Sequence, residues 1–266
     1  MSVMPVLMLG AGRMGGALIE GWRRSSAFEA SDLIIRDPHL TDIARTVGDL
    51  GARLNPPLEE LAAAKTVLLA VKPQIWRETA QEIGAFLAED AILVSVAAGV
   101  RSADISAAFG GRRVARVMPT TAAAIGQGVA SIYASDPEAR ARAHAIFALV
   151  GVVVHLDEED LLHAATGVSG SAPAYFYAFV EALEAGGVAA GLSPEASRKL
   201  ARATMIGAAA LLAQSGEDPA DLRRQVTSPN GTTEAALKVL MGEGGLQPLL
   251  RDAVIAATSR SVELGG

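Results

Sequence analysis

The 266-residue chain has no cysteine, only four lysines and no excess of basic charge, and each shortage closes a class of function. Without thiols there is no disulfide framework, thiolate nucleophile or thiolate metal centre. His39, His144, His155 and His163 are scattered at spacings that build no ligand set, so no metal is expected. A net charge of -6 supplies no field to draw the chain onto a phosphate backbone, and the cluster Arg112, Arg113 and Arg116 reads as a solvated edge. Nucleic acid is therefore excluded as a partner. Long apolar runs are missing too. The best of them, Ala203 to Ala213, falls far short of the roughly 20 residues that a bilayer requires. The opening MSVMPVLMLG lacks a basic leader and runs straight into a glycine loop, so no membrane association and no secretory signal are expected. The expected location is cytoplasmic.

What is present is apolar sequence in short pieces. Half of the residues are hydrophobic, enough for two ordinary domains. Runs rich in Val, Ile and Leu predict strands at Val6 to Leu9, Leu33 to Ile35, Val67 to Val71, Ile92 to Val96, Val114 to Met118, Ser131 to Tyr133 and Val152 to Val154. Helix-length segments separate several of them: Gly16 to Ser25, Ile75 to Leu87, and Pro137 to Leu149 with Asp136 as N-cap. Strands with little polar alternation are buried on both faces. Interleaved with helices, they predict an α/β domain, a doubly wound and mostly parallel Rossmann-type sheet over residues 1–156. After His155 strand signals almost vanish. Residues 157–266 read as an all-helical domain whose segments Ser169 to Ala190 and Ser193 to Gln214 carry more apolar surface than a small domain can hide, so an oligomer is expected.

GAGRMG, formed by Gly10, Ala11, Gly12, Arg13, Met14 and Gly15, has G-x-G-x-x-G spacing. Glycine is common in this chain, so position gives the pattern its meaning: the loop follows the first strand and opens a helix. There the backbone amides and the helix dipole can hold a pyrophosphate. Asp37 ends the second strand 22 residues after Gly15, where an acid bonds the ribose hydroxyls of NAD. Its neighbour Arg36 suits the additional phosphate of NADP, so the two residues leave the coenzyme open. Three further strand ends carry Ala70, Lys72 and Pro73; Ala97, Ala98 and Gly99; and Met118 with Thr120. Ligands of open α/β sheets collect at such ends. Lys72 can reach a ribose or phosphate, the small residues let a flat ring lie on the backbone, and Met118 to Thr121 can border the nicotinamide.

Late in the chain, TSPNGTTEAAL interrupts helix-forming sequence. On its own it is a turn and a helix start.

Together GAGRMGGALI, AVKPQ, VSVAAGV, RVMPTT, TGVSGSAPAYFYAFVEAL and SPNGTTEAAL, in this order along nearly the whole chain, closely resemble the pyrroline-5-carboxylate reductase family. The last two are the most specific. The resemblance implies reduction of 1-pyrroline-5-carboxylate to L-proline with NADPH or NADH, and a Rossmann domain joined to a helical dimerisation domain. It also implies homodimers assembled into a larger ring, with the substrate between the nicotinamide and a neighbouring subunit's helical domain. Carried over by position, Thr233 meets the substrate ring nitrogen as the catalytic hydroxyl, while Ser228, Asn230, Gly231 and Thr232 form the carboxylate-binding loop. Free amides at a helix start suit that anion.

Two places depart from the family pattern: Thr120, Thr121 and Ala122 replace its Asn and Thr-Pro, and Asn230 stands where glycine is common. Related β-hydroxyacid dehydrogenases carry a lysine proton donor where counting from Gly167 places Phe176. Phe moves no proton, which favours an imine over a ketone. Alternatives are reduction of another cyclic imino acid, such as piperideine carboxylate, or a non-catalytic NADP-binding protein.

Overall fold

The computed structural model describes residues 3–26 and 28–265. Two compact units are present: one runs to Gly170 and regains the chain from Ala257 onward, the other is Ser171–Ala256.

The first unit is built on an eight-stranded sheet. In chain order its strands are β1 (Val6–Leu9), β2 (Leu33–Arg36), β3 (Arg53–Leu54), β4 (Thr66–Leu69), β5 (Ile92–Ser95), β6 (Val114–Pro119), β7 (Gly128–Tyr133) and β8 (Gly151–His155). Their spatial order is β3-β2-β1-β4-β5-β6-β7-β8, parallel throughout except for the antiparallel β6–β7 pair. The chain leaves β1 toward β2 and later returns to its other side as β4, so the topological switch lies between the carboxyl ends of β1 and β4. Seven of these strands match the predicted ones in position. The missed one, β3, has two residues, too few for any alternation to register.

Burial follows the pleat. Along β1, Val6 and Met8 join one apolar core with Leu18 and Trp22, while Leu7 and Leu9 point to the other with Trp76 and Ile83. The covering helices are α1 (Arg13–Ser25), α2 (Asp42–Asp49), α3 (Trp76–Ile83), α4 (Ser102–Ala108), α5 (Pro137–Phe147) and α6 (Leu161–Ala165). Helix α5 starts as expected, with Asp136 accepting the Ala139 N–H at 2.8 Å and Pro137 in the first turn. Five residues of π turn follow α6, at Thr166–Gly170.

The arginine cluster corrects the sequence reading. Arg116 is buried and Arg112 donates to the carbonyls of Leu87, Ala88 and Phe109, so neither belongs to a solvated edge. Long guanidinium stems can be buried when each donor finds an acceptor, and a one-dimensional charge count does not reveal that.

The second unit holds α7 (Ala172–Ala189), α8 (Pro194–Ser215), α9 (Pro219–Gln225), α10 (Thr232–Leu240) and the first part of α11 (Leu246–Gly265). Small residues bring α7 and α8 together: a Cβ at Gly187 would lie 2.2 Å from Ser197 Oγ, which donates to the Glu184 carbonyl at 2.6 Å. The outer faces stay apolar, with Phe176, Tyr177, Ile206 and Val239 exposed. Among the described residues no helix is long and apolar enough to cross a membrane.

Candidate active site

At the switch between β1 and β4 the chain makes the turn that the glycines foretold. Gly10 has φ +92 and a Cβ there would strike the Ala70 carbonyl at 2.8 Å, while one on Gly15 would sit 2.1 Å from the Gly10 oxygen. Gly12 differs. A Cβ on it meets nothing within 4 Å, so its bareness serves no protein neighbour. It is also the N-cap of α1 and has no side chain to satisfy the first amides of that helix, which remain available to an anion.

Beside this turn lies a cavity of about 690 Å³ bordered by Gly10, Gly12, Arg36, Asp37, Ala70 and Lys72 among the expected residues. Sequence reasoning missed His39, Asn55, Thr79 and Glu82, which border it as well. Asn55 follows the unrecognised strand β3. Its amide both accepts from Asp37 N–H and donates to the Asp37 carbonyl, at 3.0 Å each, and so locks the end of β2. Both oxygens of Asp37 accept backbone amides, one from Ala11 at 2.6 Å and one from His39 at 2.7 Å. Arg36 reaches Glu82 at 2.5 Å. Lys72 is exposed at the rim and, among the described residues, forms no ion pair.

The next strand ends converge on a second, much smaller hollow of about 10 Å³, bordered by Ala97, Gly99 and Met118 together with Arg116, His163 and Ser261. Thr120 lies apart from it. It is buried, and its Oγ accepts the Val129 N–H at 3.0 Å within the β6–β7 pairing. Behind the hollow, Glu159 accepts from Arg116 at 2.8 Å and from both the N–H and Oγ of Ser102, at 2.7 and 2.9 Å. Burial opposes ionisation of Glu159, but these donors outweigh it and hold the carboxyl below the ordinary range. His163 Nδ1 stands 2.9 Å from Ser261 Oγ. Burial first and the Arg116 charge second push this imidazole down from its ordinary value.

The larger cavity, with its helix-start amides and charged groups, could receive phosphates and a ribose, whereas the smaller hollow has room for about one water and offers only a ledge of small residues at its edge. Residues Arg13, Met14 and Gly15 lie in the first turn of α1, and Pro73, which follows Lys72 in the chain, does not border the cavity.

In the second unit, the stretch before α10 makes a tight turn. Asn230 is left-handed at φ +59, a conformation that asparagine adopts more readily than most residues. Gly231, the N-cap, donates to the Ser228 carbonyl at 3.0 Å, and a Cβ on it would lie 2.4 Å from Ser228 Oγ. The serine hydroxyl thus folds over the start of the helix, where Thr232 and Thr233 occupy the first turn. One residue went unrecognised: Glu234 Oε2 accepts the Asn230 N–H at 2.6 Å, in the manner of a capping box displaced by one residue. That amide is therefore engaged, which leaves Thr232, Thr233 and Ser228 as the groups of the turn that could receive an anion.

Comparisons with known proteins show what the chain is similar to. Residues 5–99 match the family model described as NADP oxidoreductase coenzyme F420-dependent, and residues 159–264 match the model for pyrroline-5-carboxylate reductase dimerisation. The chain is 37% identical to the pyrroline-5-carboxylate reductase of Pseudomonas aeruginosa over 99% of its own length and 98% of that protein. Among solved structures, a pyrroline-5-carboxylate reductase from Coxiella burnetii superposes with a TM-score of 0.91 at 29% identity and covers 100% of both chains. The Plasmodium falciparum pyrroline carboxylate reductase with NADP bound gives 0.83 at 25%, over 99% of this chain and 98% of that one.

Proposed function

The chain belongs to the pyrroline-5-carboxylate reductase family, and we propose that it reduces the C=N bond of 1-pyrroline-5-carboxylate to L-proline with NADPH as hydride donor. The observation that carries the reading is the pairing of two anion-receptive helix starts in one sequence. One is the bare Gly12 turn of α1, the other the Ser228–Gly231 turn of α10.

The residues that would hold the coenzyme are Gly10 to Gly15 at the pyrophosphate, Arg36, Asp37 and Lys72 at the ribose and its phosphate, and Ala97, Ala98, Gly99 and Met118 along the nicotinamide. Bound there, NADPH supplies the hydride. A relative crystallised with NADP supports that choice of coenzyme; NADH is the alternative donor, since Asp37 suits unphosphorylated ribose hydroxyls. The amides of Thr232 and Thr233 and the hydroxyl of Ser228 bind the substrate carboxylate, and the helix dipole favours the same charge. The Thr233 hydroxyl holds the ring nitrogen, which orients the C=N edge and receives the developing amine. A protonated imine is already electrophilic, so alignment supplies most of what the protein must add. No lysine is needed where Phe176 stands.

The protein is proposed to work as a cytoplasmic homodimer, with dimers assembled into a ring. The dimerisation match over residues 159–264 and the exposed apolar faces of α7 and α8 support a second copy as the covering surface. In functional terms residues 1–156 bind the dinucleotide, with the flanking stretches to Gly170 and from Ala257 onward packed in the same compact unit, and Ser171–Ala256 supplies the substrate turn and the dimerising faces.

The direct test is NADPH oxidation by the purified protein with 1-pyrroline-5-carboxylate as acceptor, compared with the six-membered piperideine carboxylate. The five-membered ring should be turned over at least tenfold faster in kcat/KM. Equal rates would favour a broader imine reductase, and NADPH binding without any turnover would favour a non-catalytic role.

A further inference from the structure

The loop that joins β5 to α4 presents Ala97, Ala98 and Gly99, and it is fastened from outside itself. At its far end Ser102 gives both its N–H and its hydroxyl to Glu159, a residue 57 positions later in sequence. Arg101, the residue before it, pairs with Asp160 at 2.9 Å. The carboxylate of Glu159 also takes Arg116, whose side chain is 6% exposed. Arg116 stands on β6 two residues before Met118, so one carboxylate ties together the loop after β5 and the strand that carries Met118.

The crown of the loop has a second support. Gly99 is left-handed at φ +78, and a Cβ there would lie 2.7 Å from the Cα of Gly265 in the last turn of α11. One turn earlier on α11, Ser261 meets His163. Every one of these residues belongs to the first compact unit.

Fold stability gives little reason for this construction. A buried ion pair contributes little net stability compared with apolar residues of the same volume, and this one joins segments that lie 43 and 57 residues apart in sequence. The first turn of α4 also lacks any side-chain cap from its own N-cap residue, Arg101. The carboxylate that serves it is imported instead from the segment that leads into α6.

We propose that Glu159 is a positioning residue for hydride transfer, setting the spacing between the Ala97–Gly99 loop and Met118, with the last turn of α11 as the second brace of the same loop. The inference rests on the reductase reading, because that reading puts the nicotinamide against this ledge. It assigns to the chain's final turn a role in coenzyme geometry, although that turn contains none of the expected site residues. Loosening the brace should disturb the nicotinamide half of the coenzyme and spare the adenosine half.

The test uses the full-length protein with Glu159→Gln, which keeps an acceptor for Arg116 and Ser102 N–H, and with Ser261→Ala. Hydrogen exchange is first measured without coenzyme or substrate. Amides of residues 97–103 should exchange at least tenfold faster in both variants, while those of β1 and β4 stay as in wild type. Binding of adenosine 2′,5′-bisphosphate should remain within twofold, kcat should fall at least tenfold with the KM for the imine little changed, and NADPH deuterated at C4 should show an enlarged isotope effect. Unchanged exchange at 97–103 in both variants would overturn the proposal, as would parallel losses of bisphosphate binding and activity. The exchange result holds whether or not the imine is turned over, so it fails separately from the reductase assay.

Discussion

Glu234 lies four residues beyond Asn230 and its carboxylate accepts the Asn230 N–H at 2.6 Å, which puts a fixed negative charge at the turn proposed to hold an anionic substrate. Lys238, one helical turn further, partly balances it at 3.6 Å. The hydrogen bond stabilises the left-handed turn and the charge works against the ligand. Glu234→Gln should therefore leave the KM for the imine within about twofold. Glu234→Ala loses the cap, worth about 1 kcal/mol, and should raise KM about fivefold with a smaller change in kcat. Steady-state kinetics on the two variants check this; a KM for the alanine variant equal to wild type would remove Glu234 from the argument.

Thr233 is proposed to hold the ring nitrogen at the point where charge changes. A hydrogen bond to a charged group is worth about 1.5–3 kcal/mol, so Thr233→Ala should lower kcat roughly 10- to 100-fold. Coenzyme affinity, measured by quenching of protein fluorescence, should not move, whereas Thr233→Ser should recover most of the rate.

The glycine loop offers an internal control. Gly12 has φ -66 and open space where a Cβ would go. Gly12→Ala should leave the unfolding midpoint little changed and weaken NADPH binding at least tenfold, since no protein segment beyond its chain neighbours lies within 4 Å of the added methyl, which faces the proposed coenzyme turn. Gly15→Ala, with its Cβ 2.1 Å from the Gly10 carbonyl oxygen, should destabilise the fold itself. Thermal melts paired with coenzyme titration separate the two outcomes.

Acid should act in two stages. His163 is held below its ordinary value by burial and then by Arg116, and His155 by burial and then by the charges of His144 and Arg140. Between the folded and unfolded values the native state binds fewer protons, so stability rises with pH across that window and is lost as pH falls from about 6.5. Glu159 sits below the ordinary carboxylate range, so its contribution is present above about pH 4.3 and disappears as pH falls through its lower folded value. Urea unfolding from pH 7 to pH 3 should show both declines. His163→Asn should shrink the first and Glu159→Gln the second.

The helical unit leaves Ile206 71% exposed on α8. Ile206→Glu should place a charge in the surface proposed to meet a second copy and shift the protein toward monomer in sedimentation velocity. An unchanged sedimentation coefficient at micromolar concentration would move the interface elsewhere.

The coenzyme turn was legible because its determinants are local. Gly10, Gly12 and Gly15 act within six residues, and the strand before them is buried on both faces, so spacing and apolar run carry the whole signal. The same holds for the α10 turn, where Ser228 to Thr233 are contiguous, although Glu234 was overlooked there because its acceptor role depends on the side chain turning back. Tertiary structure alone decided the rest. Arg116 reads as one charge in a surface cluster until β6 carries it inward to meet Glu159, and Asn55 gives no signal at all until β3 sets it beside Asp37. Backbone conformation at a turn depends on near neighbours, and a single sequence records them. The partner of a buried charge is chosen by how distant segments pack, and only the folded chain brings those segments within reach of each other.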